Sequence, residues 1–397
     1  MEVKIATGLS HIRAVNQRCI LSEIVSKGTT SRTALARELS LSKPAISDNL
    51  IALLDAGLVE EVGEGITTPQ GGRKPVMLRY NPNCRYVIAV DLNHSNPVFA
   101  LCNLDGDILR EFDIQIAPSA TEKSYFSVLE NGIQMLISSC GEQSSGIISI
   151  GIAAPGVFDK EGRLCGYNSN YEGMMWKNID ILQALKQRFR LPVMIKNDVK
   201  AATLGEWCSS NQQEYNSMLY VSCGIGVGVG IVLDGRLYEG QRFLAGEIYN
   251  YTDRERLRSG TSLESAICRK GLLNRVEKGL QNGARSVLSG SEITFEAIVQ
   301  AYWQKDAFVC EILRDIATDL LIMVVNCVNI LAIDQVVIGG EYAVFGDLII
   351  QEFEKQFKHL CPYQPTMTLP VHSRYSGICG MVRLARERYF DSVCGIE

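Results

Sequence analysis

Two sets of residues in this 397-residue chain have types and spacings suited to chemistry. The first lies near the start. Lys43, Ser47 and Asp48 fall off the apolar stripe of a short helix and can offer donors and acceptors to base edges in a major groove. Arg32 and Ser42, at the starts of two successive helices, are candidates to join them. Further on, Gly71-Gly72-Arg73-Lys74 forms a basic tip. Its glycines let the backbone approach a sugar-phosphate rail, and Arg73 and Lys74 can contact phosphates or enter a narrow minor groove. The second set is dispersed. Lys196-Asn197-Asp198 follows a strand and opens a helix, Gly246-Glu247 and Leu263-Glu264 add carboxylates, and residues 222–230 read SCGIGVGVG. The plainest role of Asn197 and Asp198 is to cap a helix.

The elements that must position the first set are legible locally. Ser31 can cap a helix over 32–39, its hydroxyl accepting a free N–H of the first turn. Ser40-Leu41-Ser42 makes the turn. Ser42 caps a second helix with Pro44 in its first turn, where a missing N–H costs nothing. Ile46, Leu50, Leu53 and Leu54 recur at helical spacing and should face inward, and Gly57 ends the helix. An earlier helix over about 15–27 offers Val15, Cys19, Ile20 and Ile24 as its packing stripe. Strand-like runs at 58–62 and 76–80 flank the basic tip as a β-hairpin wing. Residues 1–80 are therefore expected to form a winged helix-turn-helix DNA-binding domain. A protein-binding three-helix module with a linker is the alternative, and the wing weighs against it.

Composition is that of an ordinary globular protein, 46% hydrophobic and 21% charged with net charge −5. Residues 1–80 carry 10 Lys+Arg against 8 Asp+Glu, hence +2, and the remainder 29 against 36, hence −7. So small an excess implies that specific affinity needs two copies on one operator, a homodimer or a tetramer. The 13 cysteines have at least 14 residues between neighbours and form no C-x-x-C. With no signal peptide at the start, free thiols in a cytoplasmic protein are expected. Residues 320–333 are strongly apolar but too short for a membrane span and read as a buried core helix.

From about residue 86 the pattern is strand-strand-strand-helix, used twice. Runs at 86–91, 98–104 and 107–116 precede a helix near 121–140 and a strand at 147–153. Runs at 218–223, 227–233 and 236–238 repeat the opening, with Asp105-Gly106 and Asp234-Gly235 as turns. Two related lobes with a cleft between them follow. Ala154-Pro155-Gly156, the dispersed polar set and Ile338-Gly339-Gly340 fall where the lobes would meet.

These motifs together, GGRKPVMLRYN, AAPGVFD, IKNDVKAATLGE, SCGIGVGVG, AGEI and VVIGG, resemble the ROK family of sugar-responsive repressors and sugar kinases, and most of all its xylose-operon type. The resemblance covers nearly the whole chain. It implies an α/β fold in which the winged helix-turn-helix is followed by a two-lobed actin-like (ribonuclease H-like) ATPase-type body, with lobes over 81–198 plus a C-terminal helix at about 375–397, and over 199–374. It also implies that Asn197 and Asp198 hydrogen-bond a sugar, Asp198 matching the kinases' catalytic base. Asn170, upstream of Trp176, Glu247 and Glu264 match further sugar contacts. Carboxylates and amides can each take two vicinal hydroxyls in fixed geometry.

Three departures matter. The kinases' D-x-G-G-T phosphate hairpin reads Asp91-Leu92-Asn93-His94-Ser95-Asn96, which denies triphosphate its close backbone approach. The glycines of 222–230 survive, with tight hairpin-on-helix packing as their other reading. The family's GEIGH histidine is Asn250, beside Tyr249, and TDRERLRSGTS replaces the zinc-binding cysteines, so no zinc is expected. His94, His359 and His372 have no metal spacing. The chain is read as a cytoplasmic, dimeric, sugar-responsive regulator, a repressor of carbohydrate-utilisation genes without an enzyme activity or cofactor, whose partners are operator DNA and a sugar or sugar derivative. An ATP-dependent sugar kinase and a ligand-independent DNA-binding dimer are the rivals.

Overall fold

The computed structural model describes residues 8–65, 74–92, 96–116, 121–166, 179–209, 214–249 and 251–396. Arg73, His94, Asn170, Trp176 and Asn250 lie outside the described residues. The chain opens with α1 (Leu9–Lys27), β1 (Thr29–Ser31), α2 (Arg32–Glu38), α3 (Lys43–Asp55), β2 (Val59–Glu64) and β3 (Val76–Tyr80). Ser31 Oγ accepts the N–H of Ala34 at 3.2 Å, and Ser42 Oγ that of Ala45 at 3.3 Å; such caps contribute about 1 kcal/mol each. Gly57 takes φ +72° just past α3, which a Cβ would oppose. The strands pair antiparallel in the order β1-β3-β2, a winged helix-turn-helix. Ile46, Leu50 and Leu53 are buried and Leu54 half-buried, as their spacing requires.

The stripe of α1 needs correction. Ala14, Gln17, Ile20, Leu21 and Ile24 face inward, whereas Val15 is 41% exposed and Cys19 lies outside. Positions 14, 17, 21 and 24 are as helical in spacing as the expected set. The choice is made by tertiary packing, because α1 rests on α3 and on the C-terminal helix at once.

The first lobe holds β4 (Tyr86–Asp91), β5 (Val98–Asn103), β6 (Ile108–Asp113), α4 (Glu122–Ser139), β7 (Ile147–Ala154), a short pair β8 (Val157–Phe158) and β9 (Leu164–Gly166), α5 (Ile181–Phe189) and β10 (Val193–Asn197). Helix α6 (Asp198–Ser209) leads to β11 (Met218–Cys223), β12 (Val227–Leu233), β13 (Arg236–Leu237), α7 (Arg254–Ser259), α8 (Leu263–Ile267), α9 (Arg269–Gln281), α10 (Phe295–Trp303), α11 (Ala307–Leu331), β14 (Gln335–Gly339), α12 (Gly346–Leu360), β15 (Thr366–Thr368) and α13 (Ser376–Cys394). The sheets are ordered β10-β7-β4-β5-β6 and β13-β12-β11-β14-β15. In each lobe the first three strands form an antiparallel meander, and the fourth and fifth add parallel beside the first. The repeat, faint in residue identity, is a shared topology of the ribonuclease H-like, actin-like kind. Asp234 and Gly235, at φ +49° and +72°, make the tight hairpin turn their types call for.

Helix α11 carries the second lobe's core, and no described helix is long and apolar enough to cross a membrane. Helix α13 returns to pack on β4, β7 and α6. Since α6 also packs on β11 and β12, the expected boundary at 198/199 falls within an element that both lobes share.

The reader domain is not a separate bead. Ile20, Leu21, Leu50, Leu78 and Tyr80 share a continuous core with Val87, Ala100, Met381 and Phe390. Phe390 meets Tyr80 edge-on at 5.9 Å, and the Arg18 guanidinium lies 5.3 Å from its ring centroid. Arg18 also pairs with Glu387, and with Asp391 at 3.0 Å. Burying a ring of this size contributes about 2–3 kcal/mol.

Candidate functional site

Asn197 ends β10 and Asp198 begins α6, so a strand edge and a helix start aim both side chains at the interlobe cleft. Asn197 Nδ2 donates to the Gly156 carbonyl at 3.0 Å, and its Oδ1 accepts the Lys200 N–H at 3.0 Å. Asn197 therefore caps the helix and ties it to the turn after β7. Asp198 Oδ1 accepts the Val199 N–H at 2.9 Å. Burial holds its carboxyl above the usual carboxylate range, opposed by that hydrogen bond.

Glu247 arrives on the segment after β13, which is strapped to the first lobe. Lys196 Nζ lies 3.0 Å from both Glu239 oxygens, and Lys200 Nζ donates to the Phe243 carbonyl at 2.5 Å. Gly246, at φ +86°, accepts the Val229 N–H at 3.0 Å, and a Cβ there would collide with the Val229 carbonyl. Burial pushes the Glu247 carboxyl up to about 7; the Lys200 amine opposes this, while Asp198 and Glu264 add to it. Glu264 sits in the first turn of α8, which Ser262 caps, and its Oε1 accepts the Val227 N–H at 3.4 Å. Asp91, at the end of β4, is pushed up to about 8 by burial and then by Asp198.

One cavity of about 640 Å³ is lined by Asn197, Asp198, Glu247, Tyr249 and Glu264, with Asp91 and residues 222–229. Four dispersed sequence candidates thus converge, whereas Asn170 and Asn250 fall outside the described residues. The glycine-rich strand does two jobs. Gly224 and Gly226 line the cavity, while Gly230 lets β12 lie on α6, where a Cβ would strike Thr203.

On the reader, Ser42, Lys43, Ser47 and Asp48 are exposed at the start of α3. Arg32, expected to reach DNA, is half-buried and paired with Glu61 of β2 at 2.7 Å. Lys74 is exposed, 3.8 Å from Glu64.

Sequence reasoning missed the straps Lys196–Glu239 and Lys200–Phe243, and the role of Glu206. Glu206 is buried and accepts the N–H groups of Val371 and His372 at 2.7 and 3.0 Å and the Ser376 hydroxyl at 2.6 Å. Two charged residues, Lys200 and Glu206, buried on a helix rich in small side chains were the only local hints, and neither names its partner.

The donors do not suit zinc. Residues 252–262 carry neither histidine nor cysteine, Asp253 is committed to Arg256, and no group of metal-binding side chains exists among the described residues.

The ROK family model matches residues 87–388. The chain belongs to the ROK family. A xylose repressor of Caldicellulosiruptor bescii is 28% identical over 355 residues, 87% of each chain. The crystal structure of a ROK family transcriptional regulator, a homolog of the E. coli MLC protein, matches with TM-score 0.77 at 23% identity, over 97% of this chain and 98% of that one. A ROK family glucokinase from Streptomyces griseus, in complex with glucose and AMPPNP, matches with TM-score 0.62 at 20% identity, over 76% of this chain and 99% of its own. ROK kinases thus share the two-lobed body, and the likeness to the regulator extends over nearly the whole chain.

Proposed function

We propose that this chain is a sugar-responsive transcriptional repressor that binds operator DNA as a dimer and releases it when a sugar, xylose or a related aldose, enters the cleft. The observation that carries this reading is the cavity shared by Asp198 and Glu264, opened by a helix that is itself joined to a DNA reader. Asn197, Asp198, Glu247 and Glu264 take sugar hydroxyls, with Asn170 and Asn250 as further contacts. The similarity to a protein named xylose repressor over 87% of both chains supports the choice.

The mechanism follows from what moves with what. The reader shares its core with the first lobe and α13, so these travel together. A ligand that bridges Asp198 to Glu247 and Glu264 draws the second lobe toward that body. It shifts the balance only to the extent that it binds the closed form better. In a dimer reading two half-sites, a change in reader separation weakens both contacts. The test is operator affinity at increasing xylose, with other pentoses, hexoses and sugar phosphates in parallel. Unchanged affinity at saturating concentrations of the whole panel overturns the reading.

The kinase reading draws on the retained Asp198 and the shared two-lobed body. We read the chain as a non-enzyme, since the D-x-G-G-T glycines and threonine are replaced. ATP consumption with the same panel, lost on Asp198→Asn, would reverse that choice.

A further inference from the structure

The segment that stands where zinc-bearing relatives have their metal loop is organised around one side chain. Arg256 is 8% exposed. Its N–H donates to Asp253 Oδ1 at 2.9 Å and its guanidinium to Asp253 Oδ2. The same guanidinium donates to Asp319 Oδ1 on α11 at 2.6 Å, and Arg275 of α9 takes Asp319 Oδ2 at 2.6 Å. A second tie lies seven residues along α11, where Asn326 Nδ2 donates to the Tyr251 hydroxyl at 2.6 Å. Seven residues are two turns, about 10 Å along one helix face. The stretch between Glu247 and Glu264 is thus pinned at two points to the core helix of its lobe.

We propose that Arg256 is the positioning residue that takes over the structural work of the missing metal, clamping Asp253 to Asp319 so that Glu247 and Glu264 stand at the cleft without zinc. Zinc would fix such a loop by drawing several ligands to one cation. Here the cation is a planar guanidinium whose fork suits two carboxylates at once. Removing the guanidinium breaks the link between Asp253 and Asp319 and leaves Arg275 on Asp319, which loosens the segment. The proposal rests on reading Glu247 and Glu264 as effector contacts, and its test is chosen to stand apart from that reading.

The measurement is amide hydrogen exchange over residues 244–267 of the full chain, with and without a zinc chelator, in wild type, Arg256→Met and Arg256→Lys. Exchange in wild type should ignore the chelator, and metal analysis should find no stoichiometric zinc. Arg256→Met should speed exchange on the order of tenfold or more in this segment while the β11–β12 hairpin stays protected, and Arg256→Lys should restore part of the protection. In the same preparations Arg256→Met should raise the sugar concentration needed for operator release with sugar-free operator affinity intact, a pattern that general destabilisation does not produce. Bound zinc whose removal speeds exchange overturns the proposal, as does unaltered exchange in Arg256→Met. Should Arg256→Met fail to fold, Arg256→Lys and Asp319→Asn decide by the same readout. A wild-type chain that ignores every sugar sinks the effector reading, while the exchange data still settle the clamp.

Discussion

Glu206 accepts the hydroxyl of Ser376 at 2.6 Å, joining the middle of α6 to the first residue of α13. Nearby the two helices touch backbone to backbone, for a Cβ on Gly380 would meet the Ala201 carbonyl and one on Gly205 the Ser376 carbonyl. Asp198 heads α6, and Phe390, near the end of α13, lies in the reader's core. The interlobe cavity and the winged helix-turn-helix are thus ends of one stiff two-helix unit. Glu206→Ala takes the shared acceptor from the Val371 and His372 N–H groups and leaves the Ser376 hydroxyl to the Ser373 carbonyl alone, and should cost about 1–3 kcal/mol, seen as a lower urea midpoint with an unchanged m-value.

At the far end of that unit, Phe390→Ala opens a cavity between reader and body. Core phenylalanines cost about 3–5 kcal/mol on such truncation. Because the helix-turn-helix keeps its own packing, sugar-free operator binding should be weakened less than the response to sugar. The readout is operator affinity with and without saturating sugar; an intact sugar response in the folded variant would remove α13 from the transmission route.

How much of this was legible beforehand depends on sequence distance. Ser31, Ser42, Gly57 and Asp234-Gly235 act within a few residues of themselves, so type and spacing were enough to place caps and turns. Asn197, Asp198, Glu247 and Glu264 could be grouped because their motifs resembled a family's, although no local rule brings them together. The Glu206–Ser376 contact spans 170 residues, and nothing near Glu206 announces it. The Arg32–Glu61 pair joins helix α2 to strand β2 across 29 residues, a contact that residue type and spacing do not announce. The α1 stripe was misplaced for a related reason. Two partners share that helix, and the buried Gln17 sits where a polar residue argued for solvent.

On the DNA side, Lys43 and Lys74 should behave differently. Lys43 stands exposed at the start of α3, where a helix of this kind meets base edges. Lys43→Ala should cost about 1–3 kcal/mol and relax preference at one operator position. Lys74 shortly precedes β3, and Arg73 adjoins it in sequence. Replacing either with alanine should weaken all sequences alike and reduce the salt slope by about 1, unless Arg73 enters a narrow minor groove, in which case the loss concentrates on A·T-rich flanks. Binding titrations at several salt concentrations on matched and altered operators separate these outcomes.

The buried carboxyls set a pH dependence with a definite sign. Glu247 is raised from 4.5 to about 7, by burial first, against Lys200 and with Asp198 and Glu264. Asp91 is raised from 3.8 to about 8, by burial and then Asp198. Each native carboxyl keeps a proton that the unfolded chain has released. Across these windows the native state binds more protons, so the contribution of both groups to stability falls as pH rises from about 4 to 8. Glu247→Gln should remove its share, flattening the slope of melting temperature against pH between 5 and 7. Sugar hydroxyls that donate to Glu247 favour its ionised form, so sugar binding should release protons near pH 7 and strengthen as pH rises through that value. Calorimetric titration in buffers of different ionisation enthalpy reads the proton release directly. The released proton should disappear in Glu247→Gln together with the pH dependence of the affinity, and a release that survives the substitution assigns the titration to Asp91 or Asp198 instead.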